Sequence, residues 1–295
     1  MSKIEETPEK VIEDDMLDDS LDFELDDDLG ADPEPQRVVP TLSSHVESVA
    51  NSGAASTAGT SLQLRSTSSS GDIAKMEYKR CLTADELDAK KIIHPDMKSR
   101  EAFNTFRELR TKLLKISQGD NFIVMVSSVV PKGGASFFSL NLASAFAFDE
   151  SKTALLIECN LRSPCQHDVL EVDSDVGLRD YLADAVVDLE EIICDSGIER
   201  LRLCPAGRNR EVFKEFFTTD RMREFIELVR RRYSDRFIFI DAPSVDDTDA
   251  QILAELSDYV LLVVPYGGVE ETQITDAIDV MGEEKVVGLV LNNIP

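Results

Sequence analysis

The sequence predicts an α/β protein with a mainly parallel central sheet and helices on both of its faces. From residue 121 onward, short runs rich in β-branched residues alternate with segments of helical periodicity. Several of these runs are almost uniformly apolar, which indicates strands that are buried on both sides. The predicted strands are 122–126, 154–157, 201–203, 237–240, 259–264 and 286–291, and the predicted helices are 100–115, 136–148, 177–182, 221–233, 249–256 and 273–281.

Residues 1–95 have a different composition from the rest of the chain. Residues 1–35 contain fifteen Asp or Glu and only two Lys, and residues 41–72 consist mainly of Ser, Thr, Ala and Gly. Such stretches cannot bury enough apolar side chain to offset the entropy of the chain. We therefore expect residues 1–95 to be a long acidic tail that is mostly disordered, with order beginning near Ile92 or Pro95, and residues 96–295 to form one domain.

The charge and the apolar content exclude some classes of function. A formal net charge of −26 disfavours nucleic-acid binding, because that affinity depends on Lys and Arg neutralising phosphates. No run of about 18 apolar residues occurs, and the acidic start is unlike a secretory signal, so we expect a cytoplasmic protein with no membrane span. The five cysteines lack C-x-x-C spacing and the three histidines are scattered, which predicts reduced thiols and no metal cluster.

The predicted helix 100–115 precedes the first strand and has charged residues at regular spacing. Glu101, Arg107 and Arg110 are three or six residues apart, so they can share one flank of the helix. This flank fits two interpretations, a solvated face with salt bridges or a surface used in assembly.

A glycine-containing loop joins the first predicted strand to the next helix. Residues 126–137 read VSSVVPKGGASF. Strand, glycine turn and helix is the context of a P-loop, in which backbone amides wrap phosphates, a lysine neutralises them and a hydroxyl holds magnesium. Lys132, Gly133, Gly134, Ala135 and Ser136 are therefore the candidate nucleotide-binding residues of a P-loop NTPase-like fold.

Two further predicted strands are each followed directly by an acidic residue. Residues 155–164 read LLIECNLRSP and residues 237–243 read FIFIDAP. Together with the loop, they resemble motifs of the bacterial tyrosine kinases (BY-kinases), P-loop ATPases related to the partition-type ATPases. The resemblance extends from about Arg100 to the end of the sequence.

The resemblance fixes the register of the loop. Asn141-Leu142-Ala143 is similar to the helix that follows the loop in the family, which places Ala135 at the position of the phosphate-binding lysine and Ser136 at the magnesium-binding hydroxyl. A second register, which follows the deviant loop of partition ATPases, places Phe137 at the lysine position. The lysine is missing in both registers.

The resemblance also implies roles for the acidic segments and for the first helix. Asp241 corresponds to the aspartate of the magnesium shell and Glu158 keeps one carboxylate of an Asp-x-Asp-x-Arg motif, so both are catalytic candidates. Arg162 keeps the arginine of that motif and is a sixth candidate nucleotide-binding residue, whereas Asn160 replaces the second carboxylate. In the family, a Glu-x-x-Arg-x-x-Arg pattern in the first helix supports ring assembly. Here Glu101, Asn104, Arg107 and Arg110 stand at that spacing, so one member of the pattern is replaced.

Three hypotheses follow from these departures. The first is a catalytically degenerate BY-kinase-like protein that acts as a regulatory or assembly partner in capsule or exopolysaccharide export, with ATP and Mg²⁺ as the cofactors that the resemblance implies. Its implied partner is a membrane polysaccharide chain-length regulator or co-polymerase, and a homo-oligomer is also compatible. The second is an active ATP-dependent tyrosine kinase in which Lys132 takes over the phosphate site. The third is a partition-like positioning protein.

Overall fold

A computed structural model describes residues 80–183, 186–207, 215–232 and 236–292. The helices are α1 (Ala84–Ala89), α2 (Arg100–Ile116), α3 (Ala135–Ala147), α4 (Gln166–Val169), α5 (Leu178–Ala183), α6 (Leu189–Ile192), α7 (Asp220–Arg232), α8 (Thr248–Glu255) and α9 (Glu271–Met281). The strands are β1 (Ile123–Ser128), β2 (Thr153–Glu158), β3 (Cys194–Asp195), β4 (Leu201–Cys204), β5 (Arg236–Asp241), β6 (Tyr259–Pro265) and β7 (Val286–Asn292).

The seven strands form one sheet in the order β3-β4-β2-β5-β1-β6-β7. Every pairing is parallel except that of β3 with β4. The predicted α/β class is confirmed, and so is the mainly parallel sheet. Because β2, β5 and β1 are adjacent and parallel, the loops that follow these three strands meet at one edge of the sheet.

Both faces of the sheet are covered by apolar side chains. One face packs against α2 and α3 through residues such as Phe106 and Phe146. The other packs against α5, α7, α8 and α9 through residues such as Phe225 and Leu253. The predicted burial of the central strands is also confirmed, since every residue of β1, β2 and β5 is buried. This packing holds the carboxyl ends of the three central strands in fixed positions.

The ordered region begins earlier than the sequence indicates. The sequence places its start near Ile92 or Pro95, whereas α1 already lies at Ala84–Ala89 and Ile92 and Ile93 are almost fully buried. A capping box between Thr83 and Glu86 stabilises this helix, and it is the signal that could have revealed it. The acidic and Ser-rich stretches of the predicted tail lie outside the described residues, so the tail remains a prediction.

A buried asparagine connects this early segment to α3. The Asn141 side-chain oxygen accepts a hydrogen bond from the backbone amide of Ile93 at 2.8 Å, and its amide nitrogen donates to the carbonyl of Phe137 at 3.0 Å. Asn141 thus joins residues 80–95 to the helix that follows the glycine loop. Residues 80–95 therefore belong to the folded domain, which corrects the predicted boundary at residue 95.

The remaining differences concern short elements. The helices α4 and α6 and the strand β3 have four, four and two residues, and the sequence predicts none of them. Such short pieces carry too little periodicity to be distinguished from loops. The six longer predicted helices and the six predicted strands are all present, with ends that move by one or two residues.

Candidate functional site

A cavity of about 620 Å³ opens at the carboxyl ends of β1, β2 and β5. It is lined by the loops that follow these strands, which contribute residues Ser128, Pro131, Lys132, Gly133, Gly134, Ala135, Ser136, Asn160, Arg162, Ser163, Ala242, Pro243, Ser244, Asp246, Asp247 and Thr248. Such a crevice at the carboxyl edge of a parallel sheet is the usual ligand site in open α/β folds. All six predicted nucleotide-binding residues line it.

The loop between β1 and α3, which we call the rim loop (residues 129–134), contains two residues with left-handed backbone conformation. Gly134 precedes α3 with φ +97°, and Lys132 has φ +61°. Both values lie in the left-handed region, which glycine adopts without strain. Ala135 is the first residue of α3, so the free amides at the start of this 13-residue helix face the cavity.

The end of β7 holds the rim loop from the other side. The side-chain amide of Asn292 donates to the carbonyl of Gly133 at 3.0 Å. A Cβ atom on Gly134 would stand 2.3 Å from the same amide nitrogen. Sequence reasoning missed this role of Asn292, because the contact joins residues that are 159 positions apart.

The charges that line the cavity offset one another. Lys132 is exposed, and Arg162 forms an ion pair with Asp247 at 3.0 Å. Asp246 also lines the cavity, so its lining contains two cationic and two anionic side chains. Ala135 contributes only a methyl group at the start of α3. The site therefore offers backbone amides to an anion but little excess positive charge.

Glu158 lies beneath the cavity lining and is completely buried. Its Oε1 atom accepts hydrogen bonds from the amides of Cys165 and Gln166, each at 2.5 Å, and its Oε2 atom accepts from the amide of Ala206 at 3.0 Å. This carboxylate therefore anchors the loops that follow β2 and β4. Glu158 does not line the cavity, whereas the predicted catalytic role would require it to contact a ligand there.

Asp241 is likewise completely buried and does not line the cavity. Its Oδ2 atom accepts from the Gln166 side-chain amide at 2.6 Å, and its Oδ1 atom has no hydrogen-bond partner. Burial, together with the neighbouring Glu158 carboxylate, raises the pKa of Asp241 to about 7 against the lowering effect of the hydrogen bond from Gln166. We call Glu158, Gln166 and Asp241 the floor of the site.

Within the floor, Gln166 connects Asp241 to the first turn of α3. Its side-chain amide contacts the Ser136 carbonyl at 2.9 Å and the Ser139 hydroxyl oxygen at 3.3 Å, in addition to Asp241. The Ser139 hydroxyl itself donates to the Ser136 carbonyl at 3.0 Å, so its proton is not directed at Asp241. Nothing in the sequence singles out Gln166, because an isolated glutamine belongs to no recognisable motif.

The two implied cofactors fit the site to different degrees. The uncompensated Oδ1 atom of Asp241 and the nearby Ser136 offer the hard oxygen ligands that magnesium prefers. The first turn of α3 offers amides for phosphates, whereas the rim-loop amides of Val129 and Gly133 already donate to the carbonyls of Val263 and Val130. A triphosphate also needs a countercharge, and neither Ala135 nor Phe137, which stand at the lysine position in the two registers that the resemblance allows, supplies one.

A thiol lies in the same buried region. The Cys165 sulfur and carboxylate oxygens of Glu158 and Asp241 lie within 4.8 Å of one another. The sequence predicts no cluster of metal-ligating Cys and His, and this group of one thiol and two carboxylates falls outside that pattern. Burial and the Asp241 carboxylate raise the pKa of Cys165 to about 11, which keeps the thiol protonated near neutral pH.

The predicted assembly residues on α2 separate into two groups. Glu101, Asn104 and Arg107 are exposed, and Arg107 and Asn104 line a shallow groove with Glu108, Thr111 and Lys112. Arg110 instead turns toward α3. It pairs with Asp149 at 3.1 Å and donates to the carbonyl of Ala145 at 3.3 Å. Arg110 is therefore held within the chain, whereas Glu101 and Arg107, the other two predicted assembly residues, are exposed.

No family model matches the chain. The chain is 28% identical to the tyrosine-protein kinase CpsD of Streptococcus agalactiae over 206 residues, which cover 68% of this chain and 87% of CpsD. Among solved structures, it is similar to the chimerical protein CapA2B2, with a TM-score of 0.62, 22% identity and coverage of 76% of this chain and 97% of the other. The kinase domain of the Escherichia coli tyrosine kinase ETK matches with a TM-score of 0.61, 23% identity and coverage of 75% and 85%.

These similarities confirm the resemblance to bacterial tyrosine kinases and the P-loop NTPase-like fold. Within the part of the chain that the structure describes, no helix combines the length and the apolar character needed to cross a bilayer.

Proposed function

We propose that this protein is a catalytically degenerate relative of the bacterial tyrosine kinases, and that it acts as a cytoplasmic regulatory or assembly partner in capsule or exopolysaccharide biosynthesis and export. The observation that carries the proposal is Ala135 at the first position of α3, beside a rim loop that leads into the free amides at the start of this helix. Phosphoryl transfer depends on positioning and on neutralisation of charge, so the loss of the lysine removes a main contribution.

The other charged side chains of the cavity support the same conclusion. Arg162 is already paired with Asp247, and Asp246 adds a second carboxylate that repels phosphate. Asn160, which lines the cavity after β2, is an amide where the related kinases have a carboxylate. The paired Arg162 and the two carboxylates therefore leave this cavity little net positive charge with which to hold a triphosphate.

Binding of ATP and magnesium tests this proposal. We expect calorimetry to give a dissociation constant above about 100 μM for the wild type. Ala135→Lys restores the countercharge and should tighten binding at least about tenfold, which corresponds to a gain of about 1.4 kcal/mol in binding free energy. Ala135→Met is the matched control, because it adds similar length without charge. If Ala135→Lys and Ala135→Met bind ATP alike, Ala135 does not stand at the lysine position.

Lys132 provides the second candidate function, an active tyrosine kinase, because its side chain lines the same cavity. In that case the wild type would bind Mg·ATP at micromolar concentration, transfer labelled phosphate to a tyrosine peptide, and lose both properties in Lys132→Ala. We expect Lys132→Ala to leave weak binding unchanged, and the exposed Lys112→Ala serves as its control. Phosphate transfer that depends on Lys132 would overturn the degenerate assignment.

The cellular role is tested by complementation. A strain that lacks the gene should lose or alter the length of its exported polysaccharide, and Lys132→Ala should restore the polymer as well as the wild type does. Restoration by the wild type alone would indicate that the phosphate site is used. An unchanged polymer after deletion of the gene would remove the proposed pathway.

The proposed partner is a membrane polysaccharide chain-length regulator, which would recruit the protein to the inner face of the membrane. The exposed residues Glu101, Asn104 and Arg107 on α2 are the proposed contact surface for assembly. Arg107→Glu should then weaken co-purification with that regulator or self-association, whereas Arg223→Glu, on the exposed side of α7, should not.

A further inference from the structure

Two buried carboxylates lie side by side at the floor of the site. Glu158 and Asp241 end the neighbouring parallel strands β2 and β5 and are direct partners in the register of the sheet. Both side chains are fully buried. The half-buried Cys165 stands at the start of α4, seven residues after Glu158, so one short loop brings its thiol back to the strand ends.

Little positive charge compensates this pair. Among the described residues, the ion pairs of Glu158 consist of one contact with His167, whose Nδ1 atom lies 3.5 Å from Oε2, and Asp241 has none. Two neighbouring carboxylates repel each other, and each loses hydration energy on burial. A cation between them would offset both costs.

The atoms that would bind such a cation are held in place. Asp241 Oδ1 is buried and has no hydrogen-bond partner, while Oδ2 is fixed by Gln166. The three backbone amides that donate to Glu158 fix its orientation, as outer-shell hydrogen bonds fix the ligands in known metal sites. The Glu158 carboxylate still has one lone pair beyond these three bonds.

We propose that Glu158, Cys165 and Asp241 bind a thiophilic divalent cation, with Zn²⁺ as the physiological candidate. Their ligand atoms lie within 4.8 Å of one another. Zinc binds sulfur at about 2.3 Å and carboxylate oxygen at about 2.0–2.2 Å, so a small contraction of the loop brings all three into range, and a water completes the four ligands. The cysteine loses its proton to solvent when the Zn–S bond forms.

The sulfur separates this site from a magnesium site. Magnesium binds hard oxygen ligands and avoids thiolates, whereas zinc accepts both. The inference goes beyond the proposed function, because it concerns the protein without nucleotide. Its failure would leave the assignment based on Ala135 unchanged.

Metal binding by the full chain tests the proposal. After treatment with EDTA and dialysis, we expect one equivalent of Zn²⁺ to bind, and Cd²⁺ to give the ultraviolet charge-transfer band of a thiolate complex. Cys165→Ser should abolish the Cd²⁺ band and weaken Zn²⁺ binding at least about tenfold, as expected when a ligand or its support is lost. Cys194→Ser is the matched control, because Cys194 is also half-buried but lies outside the cluster.

Three outcomes would overturn the site. They are no uptake of Zn²⁺ by the wild type, Zn²⁺ binding by Cys165→Ser that is as tight as that of the wild type, and a Cd²⁺ band that survives in Cys165→Ser. Circular dichroism of each variant shows whether it is folded. Should Cys165→Ser be unfolded, Asp241→Asn provides the second test, with weaker Zn²⁺ binding expected and a Cd²⁺ band retained at higher metal concentration.

Discussion

The rim loop and the floor of the site differ in what their side chains contribute. The rim loop leads into the free amides at the start of α3, but Ala135 supplies no cationic side chain for a triphosphate. The floor keeps its carboxylates, and Glu158 and Asp241 are buried and connected to backbone amides or to Gln166. The comparison shows that the rim depends on backbone groups, whereas the buried side chains of the floor hold the loops that follow β2 and β4.

The largest expected effect comes from Glu158→Ala in the floor. The substitution leaves the buried amides of Cys165, Gln166 and Ala206 without an acceptor, which should lower the free energy of unfolding by about 3–5 kcal/mol. Urea unfolding measures the change, and Glu150→Ala, at an exposed position, is the control. A loss below about 1 kcal/mol would show that Glu158 does not anchor these loops.

Asp241→Asn should act in the opposite direction above neutral pH. The folded-state pKa is about 7, against an ordinary value of 3.8. The raised pKa means that folding favours the protonated form, so the contribution of Asp241 to stability falls as pH rises from about 4 to 7. Asparagine removes this cost, and in EDTA the variant should be more stable than the wild type at pH 8 by up to about 4 kcal/mol, since each unit of pKa corresponds to about 1.36 kcal/mol.

The pH dependence separates this cause from a general change in packing. Thermal unfolding at several pH values should show the difference between Asp241→Asn and the wild type shrinking as pH falls toward 4. A difference that is constant with pH would contradict the raised pKa.

Gly134→Ala tests how the rim loop is held by β7. A methyl group there would meet the Asn292 amide at a backbone conformation with φ +97°. Gly119→Ala is a matched control, because Gly119 has φ +87° and nothing within 4 Å of an added Cβ. We expect Gly134→Ala to cost about 1–3 kcal/mol more than Gly119→Ala in urea unfolding.

A second substitution assigns this extra cost to the contact. Combining Gly134→Ala with Asn292→Ala should recover part of it, and Gly134→Asp, with its larger and charged side chain, should be more damaging than Gly134→Ala. Equal costs for Gly134→Ala and Gly119→Ala would leave only the backbone conformation as the cause.

Asp247→Asn should have the smallest effect on stability and a measurable effect on binding. Asp247 is the N-cap of α8 and pairs with Arg162, whose side chain is 71% exposed. Asparagine caps a helix as well as aspartate does, and an exposed ion pair contributes at most about 1 kcal/mol, so unfolding should change by less than about 1 kcal/mol.

The same substitution frees Arg162 for an anion. Calorimetry should then show ATP binding that is tighter by about two- to fivefold, which corresponds to less than about 1 kcal/mol. Asp246→Asn, which removes a carboxylate without freeing Arg162, is the control. Weaker binding in Asp247→Asn would mean that the ion pair organises the site rather than competing with the ligand.

Local sequence signals were sufficient for the longer elements and for the position of the cavity. The apolar runs of β1, β2 and β5 and the glycines before α3 each lie within a few neighbouring residues, so periodicity and turn chemistry predict them. The same signals missed α1, whose capping box is present in the sequence but whose six residues are too few to show a period. They also placed Arg110 on an exposed flank, because helical spacing does not say which neighbour a side chain meets.

The sequence by itself determined the α/β class, the glycine loop before α3 and the absence of a lysine at Ala135, since these depend on residue types and on short spacings. Only the tertiary structure decided that Glu158 accepts hydrogen bonds from backbone amides and that Asn292 donates one to Gly133. It also decided that Gln166 and Cys165 lie beside Asp241. The physical reason is that parallel strands bring together the ends of segments that are far apart in the chain, and no local pattern records which of those ends will meet.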